Sequence, residues 1–405
     1  MNIKNNKQSF HFAFDANEAN VLNRVGSNVY AFEILKQLHA STKKRTDLKW
    51  TVLLAQPPVK DFPKENNSWK YKIVTPRKFW TQWALPLHLF KNKRKYDLLY
   101  TPGHYAPRFS SVPYISSIMD LAFLKFPDQF TGIDAFQLKN WTKYSAESAE
   151  KIITISEFSK KEINQIYDLS LEKIKVAYPA VSLTDKYSNL RWKRFIKKNS
   201  IKPNEYFLYL GTIQPRKNLE KLIETFEVFS RGFAARKLKS SQTKNIKVKQ
   251  HPQLVIAGKT GWLAETILER IQESPFKKHI ILTGFVDDSL KKPLYENAQA
   301  SLLIGLYEGF GIPPLESLAA GTAAIVSNNS SLPEAVGEAG ILVDPENAQD
   351  IANAMKKTWN MPKLRKQVLK RKTKKHLKNF TWKKTGQVVL ETLLTTAKEL
   401  RKNGN

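Results

Sequence analysis

The sequence predicts an α/β chain made of two parallel-sheet units in series. Three observations predict it. Short apolar runs alternate with helical segments from end to end, the alternation restarts at Tyr206, and 405 residues is too long for one ordinary domain. In the first half the strand candidates are Phe10–Phe14, Trp50–Leu54, Leu98–Tyr100, Tyr114–Ile118, Lys151–Ile155 and Ile174–Ala177. Amphipathic helices are expected between them, among them 28–40 and 135–149. Ser156 and Ser159 stand where a strand ends and a helix beginning near Phe158 needs a cap. The second half offers Tyr206–Leu210, Gln253–Ala257, His279–Leu282, Ala300–Ile304, Ala323–Val326 and Gly340–Val343, each followed by a helix.

The expected boundaries follow from this alternation. Residues 1–180 form a first Rossmann-like unit, the polar stretch 181–204 a connection and 205–380 a second unit. Residues 381–405 form a C-terminal helix that can cross back to the first. Residues 236–249, polar and rich in Lys, are expected to form an enlarged basic loop. Open parallel sheets bind ligands beyond the carboxyl ends of their strands, so two such units facing across a cleft would share one site.

A hydrophobic share of 41% with 25% charged residues is that of a globular chain with real cores. Cysteine is absent, which excludes disulfides, thiolate metal sites and a cysteine nucleophile. The opening MNIKNNKQSFHFAFD lacks the apolar centre of a secretory signal, and no apolar run is long enough to cross a membrane. The expected location is the cytoplasm, with peripheral attachment to the inner face of the cell membrane as the variant that the charge suggests. The formal net charge of +30 calls for a polyanionic partner or a solvated Lys-rich face. It is spread unevenly: no acidic residue lies between Glu227 and Glu265, or between Asp350 and Glu391.

The stretch LLIGLYEGFGIPPLESLAAGTAAIVSNNSSLPEAV carries the most chemistry. A buried strand ends at Gly305, a Gly-rich turn follows, and a helix starts near Pro313 and Pro314, where a missing N–H does no harm. Gly309 and Gly311 expose backbone amides at that helix N-terminus, a ready site for a diphosphate. Glu308 and Glu316 flank the turn, and carboxylates grip sugar diols through charge-assisted hydrogen bonds. A plain helix cap would use the same residues.

Glu308 and Glu316, with seven residues between them inside EGFGIPPLE, resemble the E-x7-E motif of the family-four retaining glycosyltransferases with the GT-B fold. YLGTIQPRKNLEKLIETF is similar to the family's strand–loop–helix that carries an Arg-Lys pair. LVIAGKTGW, ILTGFVDD and SLPEAVGEAGILVDPEN resemble its following segments. VGSNVYAFEIL, TPGHYAPRF, MDLAFLKFPDQF and ITISEFSKKEI match more loosely in the first half. The resemblance implies an acceptor-binding first domain and a nucleotide-sugar-binding second one. It implies that Arg216 and Lys217 neutralise the donor diphosphate and stabilise the departing nucleoside diphosphate. Glu316 would hold the ribose hydroxyls. Glu308, with the Phe310 and Gly311 amides, would hold the transferred sugar. Gly211, Gly309 and Val286 would complete the donor site, Val286 reading the base through its main chain. Gly26 would let the first loop approach the diphosphate. Two positions depart from the family: Met119-Asp120 stands for His-Asp, leaving Asp120 and His104 as substitutes, and Gln214 stands for Glu.

The implied reaction is metal-independent transfer of a hexose with retention, from GDP-mannose as leading donor or from UDP-glucose or another UDP-hexose. The implied acceptor is a cell-surface polysaccharide or glycolipid, and no cofactor is expected. GKT at Gly258–Thr260 is no phosphate loop, because Gln253 stands where its first Gly belongs. Pro314 replaces the third Gly of a dinucleotide fingerprint. No His spacing fits a metal. A phosphorylase or epimerase on the same fold, and a basic nucleic-acid-binding protein, remain as alternatives, although no nucleic-acid module is visible and no specific nucleic acid is expected. In 77–95, Trp80, Trp83, Leu87 and Phe90 lie at helical spacing between clusters of Lys and Arg. That pattern suits contact with an anionic membrane or a buried core face, and Pro86 argues against one straight helix.

Overall fold

The computed structural model describes residues 9–130, 132–184, 187–241, 251–359 and 361–403. The chain divides into two compact units, Met1–Pro179 with Thr381–Asn405, and Ala180–Phe380.

The first unit is a seven-stranded sheet of β1 (Phe10–Asp15), β2 (Leu48–Leu54), β3 (Trp69–Ile73), β4 (Leu98–Thr101), β5 (Tyr114–Ser117), β6 (Lys151–Thr154) and β7 (Ile174–Val176). Its order is β3-β2-β1-β4-β5-β6-β7, and every pairing is parallel. β3 was not expected. Its sequence, WKYKI, buries Trp69 and exposes Lys70 and Lys72, as an edge strand guarded by Lys does. Ser156 caps the helix Glu157–Tyr167 by accepting from the Ser159 amide.

Helix Ser27–Thr42 covers one face of this sheet, and helix Trp382–Asn403 packs beside it, burying Val389, Leu393 and Ala397. At Gly386 a Cβ would lie 2.3 Å from Gln37 Cβ, so the two helices meet at van der Waals contact. Arg401 then pairs with Asp97 at 2.5 Å, fixing the far end of the helix. Residues 77–95 lie against the other face as a wide turn, Trp80–Ala84, followed by helix Leu85–Lys91. Trp80 belongs to that core and donates its indole N–H to Val74 O at 2.9 Å.

The second unit is a six-stranded parallel sheet of β8 (Tyr206–Leu210), β9 (Gln253–Ala257), β10 (Ile280–Gly284), β11 (Ala300–Leu303), β12 (Ala324–Ser327) and β13 (Ile341–Val343). Its order is β10-β9-β8-β11-β12-β13. The stretch 181–204 is more than a connection. It holds helix Asn189–Lys198, whose Trp192 joins Tyr206, Leu208, Leu290 and Tyr295 in the core. The expected basic loop is also corrected in part. Helix Leu219–Ser241 runs on through residues 236–241, which are rich in helix-forming Arg, Lys and Leu. Residues 242–249 lie outside the described residues.

Candidate functional site

In the second sheet the chain reverses its winding between the neighbours β8 and β11, so the loops after these strands diverge and leave room at their carboxyl ends. The loop after β8 places Arg216 and Lys217 in one short turn, Pro215–Lys217. Asn218 follows in the left-handed region at φ 57°. Its side-chain Nδ2 donates to Ile304 O at 3.1 Å and Pro345 O at 2.9 Å, tying this loop to the one after β11. Leu306 N donates to Arg216 O at 3.1 Å across the same junction.

Glu308 closes the group. Lys217 Nζ lies 2.5 Å from Glu308 Oε1, and Arg216 Nη1 lies 3.8 Å from Oε2 while donating to Tyr307 O at 2.9 Å. The side chains of all three are largely shielded, at 9% exposure for Glu308, 14% for Lys217 and 16% for Arg216. At that depth the ion pair is screened little by solvent. Two cations facing one carboxylate leave a local excess of positive charge.

The backbone of Glu308 is held at both ends. Its N–H donates to Ser330 Oγ at 3.1 Å, and Ser331 Oγ donates to its carbonyl at 2.7 Å. Ser327 Oγ donates to Gly305 O at 2.8 Å. Sequence reasoning missed these serines. The cluster of small polar residues in SNNSS between a strand and a helix was the available signal.

Beyond Glu308 the turn reaches Gly311 at φ 102°, a conformation that favours glycine, and a Cβ there would lie 2.6 Å from Leu332 Cδ2 and have to displace it. Helix Ile312–Ala319 starts there with prolines in its first turn. Phe310 is buried, its ring 5.5 Å from that of Phe380. One helix face then carries Glu316 into the interior. Tyr295 OH donates to its Oε2 at 3.1 Å, and Lys291 Nζ lies 3.9 Å from Oε1. Burial raises the Glu316 carboxyl above the usual range, and the Lys291 charge and the Tyr295 hydrogen bond oppose that rise. Neither Lys291 nor Tyr295 was anticipated. Lys291 is a cation on a partly buried helix face, in a sequence crowded with solvated lysines.

Val286 buries its side chain with Leu290, Leu294 and Tyr295. Gly211 donates its amide to Ala257 O at 2.9 Å, and a side chain there would meet the Tyr209 hydroxyl at 3.0 Å. The second unit therefore brings together Arg216, Lys217, Glu308 and the Gly309–Gly311 turn, with Glu316 on the helix that the turn begins.

Gly26 and Asp120 belong to the first unit. Gly26 precedes helix Ser27–Thr42 at φ 51°, with open space where a Cβ would stand. Asp120 Oδ1 accepts from the Ala122 amide at 3.0 Å, and Met119 lies in the core. His104 is half-buried, with no partner for Nδ1 among the described residues. At the carboxyl end of β1, burial pushes the Asp15 carboxyl up to about 7, and hydrogen bonds from Asn17 oppose the shift. Among the described residues no group of three or more His, Asp or Glu is placed to hold a metal ion.

Residues 191–375 match the family model of glycosyl transferases group 1. The chain is 25% identical over 284 residues to O-antigen chain mannosyltransferase B of Escherichia coli, covering 70% of this chain and 68% of that one. It is 29% identical over 255 residues to the serotype-specific mannosyltransferase WbdA of Escherichia coli, covering 60% of this chain and 29% of that protein. The chain thus spans about two thirds of the first relative's length and under a third of the second's. Its fold matches the solved structure of Anabaena Alr3699/HepE in complex with UDP and glucose. The TM-score is 0.68 and the identity 16%, over 95% of this chain and 99% of that one. The two parallel-sheet units are those of the GT-B fold.

Proposed function

We propose that this chain, a glycosyltransferase by its group 1 domain and GT-B fold, moves a hexose from a nucleoside diphosphate with retention of configuration. The leading donor is GDP-mannose, and the acceptor is a cell-surface polysaccharide or a glycolipid. The mannosyltransferase relatives support both choices. UDP-hexose is the second reading, favoured by a structural neighbour that holds UDP and glucose. The enzyme would work at the inner face of the cell membrane.

The observation that carries this reading is the shielded group of Arg216, Lys217 and Glu308 beside a glycine turn at a helix N-terminus. Without ligand, Glu308 is the anion that occupies the two cations. A donor diphosphate carries more charge than one carboxylate and would take over Arg216 and Lys217. Glu308, released from them, is left to accept hydrogen bonds from hydroxyls of the transferred sugar, with the Phe310 and Gly311 amides beside it. Gly211 and Gly309 let backbone approach the donor, Val286 offers main chain to the base, and Glu316 holds the ribose diol.

In the transfer itself the acceptor oxygen forms the new bond to the anomeric carbon while the bond to the β-phosphate oxygen breaks. The acceptor proton passes to that departing phosphate. Charge grows on the leaving group, where fixed cations lower the barrier most. Asp120 is the nearest thing to a proton acceptor that the family pattern offers in the first unit.

A screen of common nucleotide-sugars, read as released nucleoside diphosphate with the product anomer assigned by NMR, tests the reading. Release from GDP-mannose with α-configured product is expected. An inverted product, or release only when inorganic phosphate is added, overturns it.

A further inference from the structure

We propose that the exposed face of residues 77–95 is a docking surface for an anionic lipid bilayer. The segment packs one side inward through Trp80, Ala84, Leu85 and Leu89. Its other side presents Phe79, Trp83, Leu87 and Phe90 at 58%, 72%, 55% and 61% exposure. Trp83, Leu87 and Phe90, spaced four and three apart, recur on successive turns from the wide turn into helix Leu85–Lys91, and Phe79 stands just before that turn. A helical segment pinned to a core needs no second apolar face. Four large exposed apolar side chains within residues 79–90 are a cluster, not scattered exposure.

The backbone reinforces the display. Phe79 holds φ 56°, a conformation that a bulky residue adopts only at a cost, and its side chain is exposed while that of the adjoining Trp80 is buried. Cations stand at both ends of the cluster. Arg77 and Lys78 precede it, Lys91, Lys93, Arg94 and Lys95 follow it, and all six are exposed. Lys78 Nζ lies 5.4 Å from the Phe79 ring and Lys93 Nζ 5.4 Å from the Phe90 ring. No acidic residue occurs between Glu65 and Asp97, so nothing within the segment neutralises this charge.

An apolar centre with a cationic rim fits an anionic bilayer: aromatic rings enter the headgroup region while long Lys and Arg side chains reach the lipid phosphates. A nucleic acid would want its cations along the contact line, where this segment puts Trp83 and Leu87. A second copy of this chain would bring another strongly basic surface, since the net charge is +30.

Co-sedimentation with vesicles of phosphatidylcholine, with and without phosphatidylglycerol, tests the proposal. The protein should pellet with the anionic vesicles, weakly with the neutral ones, and less as salt rises. The triple variant W83S/L87S/F90S replaces exposed side chains, so it should melt like the wild type while its partition to anionic vesicles falls by at least about tenfold. Brominated acyl chains should quench the tryptophan emission of the wild type and quench Trp83→Phe much less. Equal pelleting of the triple variant and the wild type overturns the proposal, as does quenching that Trp83→Phe leaves unchanged. A variant that keeps its vesicle binding but loses single-stranded DNA in a filter assay, or loses self-association in sedimentation, assigns the cluster elsewhere. None of these readouts depends on glycosyl transfer.

Discussion

The two units share a strand order around the point where the winding reverses, yet they place opposite chemistry there. In the second unit the loops after β8 and β11 carry Arg216, Lys217 and Glu308, with cations in excess. In the first, β1 ends on Asp15 and the loop after it carries Glu18, and the carboxylates of Glu18, Asp15 and Asp134 raise the Tyr105 hydroxyl further than burial alone does. The same sheet therefore offers a site for an anion in one unit and an acid-rich one in the other. Backbone topology sets where a site lies, and a handful of loop side chains set what it binds.

The largest expected effect tests whether transfer depends on the second unit's cations. Replacing Arg216 and Lys217 together by Ala should lower turnover by about 10³-fold or more, the scale of losing fixed transition-state charge. Asp120→Asn in the first unit keeps the hydrogen bond from Ala122 and should stay within about tenfold, below what a lost proton-transfer group costs. Steady-state kinetics with the screened donor check both. A loss for Asp120→Asn as large as for the double variant would move acid–base chemistry into the first unit and break the contrast.

Next in size is the division of labour between the two glutamates. Glu316→Ala should weaken nucleoside diphosphate binding by about 2–4 kcal/mol, the range for charge-assisted hydrogen bonds in a desolvated site. Glu308→Ala should lower turnover while sparing that affinity, since the diphosphate replaces Glu308 on the cations. Calorimetry with GDP and UDP separates the two, and equal binding by both variants and wild type sinks the assignment.

How much of this was legible from residues alone differs between the units for a physical reason. Most strands of both were readable because fully buried parallel strands are short apolar runs, and Tyr206–Leu210 and Gln253–Ala257 fall where the pattern puts them. β3 escaped because an edge strand can carry Lys on its open side. Helix Asn189–Lys198 escaped because its apolar face, Trp192, Phe195 and Ile196, is a narrow stripe set among Lys and Arg in an otherwise polar stretch. Trp80 and Trp83 read alike in sequence, and only the wide turn at Trp80–Ala84 sends one inward and the other out. At the candidate site, Glu308 and Glu316 were visible because glycine and proline punctuate the turn between them. Lys291 and Tyr295 were not, because they come from elsewhere in the chain and meet the site only through folding, and Ser330 and Ser331 left only the small polar cluster SNNSS as a sign.

Lys291 supplies a smaller test within the second unit. It opposes the rise that burial imposes on the Glu316 carboxyl, so Lys291→Met should let that carboxyl rise further. A protonated carboxyl is a poorer acceptor for ribose hydroxyls, so as pH falls the variant should begin to lose nucleoside diphosphate affinity at a higher pH than the wild type does. Titrations of GDP and UDP binding against pH check it. Parallel pH profiles for variant and wild type would show that Tyr295 alone keeps Glu316 charged.

The smallest effect belongs to the first unit and concerns stability. The Asp15 carboxyl is raised by burial from its ordinary value to about 7, against hydrogen bonds from Asn17 and with Glu18 adding to the rise. A raised acid binds its proton more tightly folded than unfolded, so between about pH 4 and pH 7 the folded state holds the proton that the unfolded state has lost. Stability falls as pH climbs through that window, and above it the folded chain carries a poorly solvated charge. Asp15→Asn removes the charge and keeps an oxygen for the Asn17 amide. It should therefore stabilise the protein at pH 8 by about 1–2 kcal/mol and change little at pH 4. That is well under the full linkage of the shift, because Asp15 is not sealed from solvent. Paired thermal melts at the two pH values measure the difference. If the variant loses stability at both, Asp15 is held by partners as a charged group. The first unit's switch point would then be built around an anion, as the second's is built around cations.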